Sequence, residues 1–176
     1  MTDQTVDHPA QSYLSGDKLL ITRRSIRAYE GRAVTDEVLW KVFELCRFAP
    51  TSRNCQSYYF IVVRDRPSLE FLADLRGGSS APIARAPVAV AVCVDTALTR
   101  RSKQDGSIAA YHFMLAAKLH GLGTCWIAAM DRAEVKERLG IPKDHYVATI
   151  TPVGYPAEDP VPPARRDAAA MVRGLE

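Results

Sequence analysis

The amino-acid sequence predicts an α+β fold in which helices are layered against one sheet. Two runs, the β-branched and aromatic Tyr58–Val63 and the small and β-branched Val88–Val94, read as buried strands. Around them lie longer stretches with apolar residues at helical spacing and cap residues at their starts. These elements interleave in an uneven order with no internal repeat, which suits helices packed on a single sheet. A chain of 176 residues is long enough for one core and short for two.

Residues 1–16 are polar and read as an arm, followed by a domain over 17–166 and a tail over 167–176. Asp17 is placed to cap a short helix with Leu19 and Leu20 facing inward. Thr35 caps a second helix that runs to about Phe48, with Val38, Leu39, Val42, Phe43, Leu45 and Cys46 forming its apolar face. Pro50 closes it, and the polar loop 51–57 leads into the first strand. A short helix follows over 68–75, then a flexible loop at 77–80.

The run Val88–Val94 is almost continuously apolar and reads as a central strand. Beyond the basic segment 99–103, a long helix is expected over 105–120, with Ile108, Tyr111, His112, Leu115 and Leu119 on one side and Gly121 ending it. A strand is expected over 124–128. Asp131 then caps a helix that stops at Gly140, and a last strand spans 147–153. The four prolines from Pro156 to Pro163 suit a segment that crosses a surface, its own or a partner's.

Apolar residues make up 47% of the chain and charged residues 24%, which are ordinary globular proportions. No apolar run approaches the ~20 residues of a membrane span. The polar start lacks a secretory pattern, so the expected location is the cytoplasm. Net charge is only +3, too weak a field to imply nucleic acid. Cys46, Cys55, Cys93 and Cys125 have no metal-binding spacing and read as free thiols, and the four histidines are scattered. No nucleophile elbow is present. Gly121-Leu122-Gly123 follows a helix and precedes a strand, the reverse of what a dinucleotide fingerprint needs. Trp40 and Trp126 read as core, and Asp105 as a helix-start residue.

Two stretches carry chemical information. Thr22-Arg23-Arg24-Ser25-Ile26-Arg27 packs three guanidiniums and two hydroxyls into six residues, a donor set suited to a phosphate monoester. The loop 51–57 offers hydroxyls, two side-chain amides and backbone groups that suit a flat heteroaromatic ring.

Taken in order, the motifs resemble the nitroreductase family of FMN-dependent flavoproteins. They are Arg23-Arg24-Ser25-Ile26-Arg27, then Arg47-Phe48-Ala49-Pro50-Thr51-Ser52-Arg53-Asn54-Cys55-Gln56, then Gly121-Leu122-Gly123-Thr124-Cys125-Trp126-Ile127, then Pro152-Val153-Gly154-Tyr155-Pro156. The resemblance covers about 20–166 and implies an α/β sandwich with a mostly antiparallel sheet, joined as an intertwined homodimer with FMN sites at the interface.

It implies further that Arg23, Arg24, Ser25 and Arg27 hold the phosphate and flavin from one subunit. Thr51, Ser52, Asn54 and Gln56 then reach the flavin from the other, Ala128 and Ala129 pass the ring, and Arg165 and Arg166 close on the phosphate. No side chain is expected to act as a nucleophile and no metal is expected. NADH or NADPH would reduce the flavin, and a nitroaromatic, quinone-like or other electron-poor acceptor would take the electrons. Dehalogenation, azoline oxidation, flavin cleavage or flavin binding without turnover are alternatives within the same resemblance.

Three departures from the family pattern stand out. Ser57-Tyr58 replaces a common Pro-Trp, Ala129 replaces a common glycine beside the flavin, and the segment 63–87, where a substrate lid would lie, is short.

Overall fold

A computed structural model describes residues 14–174, so most of the expected arm lies outside the described residues. Four strands, β1 (Tyr58–Val63), β2 (Val88–Val94), β3 (Gly123–Thr124) and β4 (Tyr146–Gly154), form one antiparallel sheet in the order β1-β2-β4-β3. The all-apolar β2 is central and buried at every position. Its alternation sorts the core into two layers. Val88, Val90 and Val92 face α2 (Asp36–Cys46) and α5 (Ser102–Leu119), while Ala89, Ala91 and Cys93 face α3 (Arg66–Asp74), α4 (Pro82–Arg85) and α6 (Ala133–Leu139). A short α1 (Gly16–Thr22) leans on α5.

Thr35 caps α2 as expected, its hydroxyl accepting from the Val38 amide. Asp65 does the same for α3, and Gly140 ends α6 in the left-handed conformation.

Several expectations are corrected, each for a local reason. The strand β1 is an edge strand and only half-buried, with Val62 38% exposed, because it pairs with β2 alone. Ser15, not Asp17, stands at the start of α1, and Leu20 and Ile21 point to solvent. The segment 77–80 is an ordered turn that feeds α4, held by the Ser80 hydroxyl donating to the Ala73 carbonyl.

The inner face of α5 is built from Gly106, Ala109, Ala110, Phe113, Ala116 and Ala117. A Cβ at Gly106 would lie 2.9 Å from both Ala148 and Val94, so small residues let the helix sit down on the sheet. Ile108 and Tyr111, expected inside, are therefore on the outer face. Trp40, also read as core, is 66% exposed, as is Phe48 at 72%. Trp126 is half-buried and outside any strand.

The expected strand over 124–128 shrinks to Gly123–Thr124. Beyond it the ladder is continued by side chains: the Thr151 hydroxyl accepts from the Cys125 amide, and Thr149 both accepts from the Ile127 amide and donates to its carbonyl. Asp131 does not cap α6. It accepts from the Val147 amide and pairs with Lys136 at 2.9 Å.

Candidate functional site

The arginine stretch leaves α1 as an extended segment laid along β3. Ser25 bridges Thr124 in parallel, the Ile26 amide donates to the Thr124 carbonyl at 2.9 Å, and Ile26 is buried. This close approach explains Gly123, where a Cβ would fall 2.8 Å from the Ile26 side chain. Gly121, at φ +74°, makes the turn out of α5. The Gly-Leu-Gly motif thus positions the arginines.

With its backbone pinned, the stretch presents its side chains to a cleft of about 280 Å3 lined by Arg23, Arg24, Ser25 and Arg27. Arg165 of the tail joins them, while Arg166 does not line it. The tail is steered there by the Ala157 amide donating to the Ala28 carbonyl and by Glu158, whose carboxylate accepts from the Arg27 and Ala28 amides.

The four guanidiniums are not equivalent. Arg24 turns back and donates to the carbonyls of Ile21 and Arg23 at 2.7 and 2.9 Å, closing the end of α1. Arg23 Nη1 is buried and has no hydrogen-bond partner among the described residues. An unmet guanidinium donor is costly, and beside three other cations it asks for an anion. Below it, burial raises the Cys125 thiol above its usual range, and the Arg27 guanidinium partly offsets that.

The loop 51–57 is built differently. It contains a 3-10 turn at Ser52–Asn54, and Arg53, Asn54 and Gln56 stand at φ +53°, +54° and +47°. Among the described residues the only other non-glycine at positive φ is Ala129, at +56°. Such conformations persist only where the surroundings impose them. Here the anchor is Asp105 in the first turn of α5, 2% exposed, whose carboxylate accepts from the Ser52 amide at 3.0 Å, Thr99 Oγ1 at 2.8 Å and Ser57 Oγ at 3.5 Å. Thr51 Oγ1 accepts from the Gln56 amide at 3.0 Å, which leaves the Asn54 and Gln56 side chains exposed.

Asp105 is thus a positioning residue for the loop. A carboxylate at a helix start is too common to have signalled this. Glu158, equally unforeseen, does the corresponding work for the arginine stretch.

Of the residues singled out from the sequence, Arg23, Arg24, Ser25, Arg27 and Arg165 are brought together. Thr51, Ser52, Asn54 and Gln56 share the loop. Ala128 and Ala129 form a third, exposed group after β3, where their carbonyls accept from Arg76 at 2.7 Å and Arg132 at 3.0 Å. The arginine cleft includes none of the loop residues, and the cleft of about 1070 Å3 beside the loop includes none of the arginines at 23–27. Among the described residues there is no cluster of His, Cys, Asp or Glu able to hold a metal, and no helix long and apolar enough to cross a membrane.

A family model described as the nitroreductase family matches residues 20–76 and 73–155, so the tail that carries Arg165 lies beyond the match. A protein of Archaeoglobus fulgidus, provisionally named an NADH dehydrogenase/NAD(P)H nitroreductase, is 36% identical over 151 residues, covering 81% of this chain and 86% of that protein. An FMN-dependent nitroreductase from Clostridium difficile superposes with a TM-score of 0.80 at 30% identity, over 90% of this chain and 98% of the other. A provisionally named nitroreductase from Desulfovibrio desulfuricans, solved in complex with FMN, superposes at 0.81 with 26% identity, over 90% and 95%.

Proposed function

The chain belongs to the nitroreductase family, and on that premise we propose that it is an FMN-dependent oxidoreductase carrying electrons from NADH or NADPH to a small electron-poor acceptor, nitroaromatic or quinone-like. One observation carries the cofactor assignment: Arg23, whose Nη1 is buried and has no hydrogen-bond partner among the described residues, lines one cleft with Arg24, Arg27, Arg165 and Ser25. That donor set matches a phosphate monoester, which takes several charge-assisted hydrogen bonds from planar guanidiniums. FMN, when bound, supplies the redox chemistry, accepting a hydride and passing electrons on.

The protein's residues bind and orient. Arg23, Arg27 and Ser25 hold the phosphate side, with Arg165, and more loosely Arg166, closing from the tail. Arg27 also places positive charge where the reduced ring becomes anionic. Asn54 and Gln56, exposed on a backbone held by Asp105, present amides to the ring's edge, with Thr51 and Ser52 behind them. Ala128 and Ala129 flank it.

Because the arginines and the loop open into different clefts, the site is assigned to two copies of the chain. Leu20 and Ile21 on α1, Trp40 on α2, Phe48 just beyond it, and Ile108 and Tyr111 on α5 are exposed and support a homodimer that covers them. The four free cysteines suit a reducing cytoplasm.

The test is the visible spectrum of the purified protein and its response to anaerobic NADH or NADPH. A yellow protein bleached by either nucleotide is the expected result. A colourless protein that cannot be reconstituted with FMN would remove the assignment.

A further inference from the structure

The arginine cleft accounts for one set of cations, but a second set remains. The cleft beside the loop, about 1070 Å3, is lined by Arg53, Arg100 and Arg101 together with the hydroxyl side chains of Ser52, Thr96 and Thr99, and by no carboxylate. All three arginines are exposed, and none takes part in an ion pair or a side-chain hydrogen bond among the described residues. Two carboxylates lie nearby and both are engaged: Asp105 is buried and accepts from Ser52, Ser57 and Thr99, and Asp95 accepts from the Ala97 amide and faces His145 at 3.6 Å. The charge of the three arginines is therefore uncompensated by any side-chain ion pair among the described residues.

We propose that this cleft binds the phosphate groups of the reduced nicotinamide dinucleotide. The inference rests on the flavin reading above, in which the loop reaches the flavin. Arg53 belongs to that loop and lines the same cleft as Arg100 and Arg101, so a dinucleotide whose nicotinamide met the flavin at the loop would have these guanidiniums within the same cleft for its phosphates.

Its size lies at the upper end of the roughly 300–1,000 Å3 range of ligand pockets, larger than a nitroaromatic ring needs and suited to an adenosine moiety. Three guanidinium forks match a pyrophosphate and a 2′-phosphate, whereas a single carboxylate would engage one. No aromatic side chain lines the cleft, which disfavours stacking of single-stranded nucleic acid bases.

The decisive experiment compares the flavin-loaded protein with an R100Q/R101Q variant by calorimetric titration with adenosine 2′,5′-bisphosphate and with adenosine, and by stopped-flow reduction with NADPH and NADH. Both side chains are exposed and make no hydrogen bond, so flavin content and melting temperature should match the wild type. The bisphosphate should bind the wild type and adenosine far more weakly. In the variant, affinity for the bisphosphate should fall about 100-fold, the loss of two charge-assisted contacts, and NADPH reduction at sub-saturating concentrations should slow in parallel. Raising salt should weaken bisphosphate binding to the wild type.

Equal bisphosphate affinity in both proteins would overturn the proposal. So would unchanged nicotinamide reduction with selective loss of turnover on a carboxylated acceptor, which would assign the cleft to an anionic acceptor. Failure of wild-type flavin to be bleached by either nucleotide would instead sink the oxidoreductase reading, so the two failures are distinct.

Discussion

The two halves of the proposed site solve opposite problems. The stretch 23–27 concentrates charge on relaxed, extended backbone, which β3 and Glu158 hold against the sheet. The loop 51–57 carries a single cation, Arg53, among neutral polar side chains, on a backbone with three left-handed residues held by one buried carboxylate. The first supplies affinity for an anion, and the second supplies shape at a fixed place. Mutations should separate these contributions.

The largest effect is expected from R23A/R27A, which removes two charge-assisted donors worth about 1.5–3 kcal/mol each from flavin binding. Retention of FMN on dilution should collapse, while the flavin-free protein should lose no stability to urea, since the buried Arg23 Nη1 has no hydrogen-bond partner to lose among the described residues and Arg27 is exposed. The loop should respond the other way. D105A strands the Ser52 amide and the Ser57 and Thr99 hydroxyls, and should cost about 2–4 kcal/mol of folding stability in urea titrations, with faster labelling of Cys55 by a thiol reagent. Cys46 and Cys93, pushed up to about 12 by burial, should remain unlabelled.

A gain should come from A129G, because a side chain at φ +56° carries a steric cost that glycine avoids, about 1 kcal/mol in the same titration. The smallest effect concerns His120, at the end of α5. Burial, with a lesser contribution from Lys41, holds its pKa below the ordinary 6.5. The unfolded chain therefore binds this proton more readily. The contribution is fully present above pH 6.5 and is lost as pH falls through the lower folded value. H120Q should flatten that decline by about 1–2 °C in melting temperature between pH 7 and 5.

Much of this architecture was legible in the residues. The unbroken apolar run of β2 and the Thr35 cap announce their elements, because both signals are local. The arginine cluster was legible for the same reason, being contiguous. The inner face of α5 was not, since close packing on the sheet selects Gly106, Ala109 and Ala110, while the large residues Ile108 and Tyr111 are left outside. Nor was Asp105, whose function depends on partners about fifty residues away in sequence. The shortness of β3 is not legible either, because hydroxyls of β4 substitute for a strand's backbone ladder.

In the proposed dimer the arginines of one chain and the loop of another make one flavin site. Mixing two disabled proteins tests it most directly. One is R23A/R27A; the other is N54G/Q56G, which deletes the loop's amides while glycine keeps the positive φ. After joint unfolding and refolding, random pairing should restore about a quarter of wild-type flavin sites and nicotinamide-dependent bleaching, because each hybrid dimer holds one intact site. Recovery no greater than the sum of the two separate proteins would contradict a shared site.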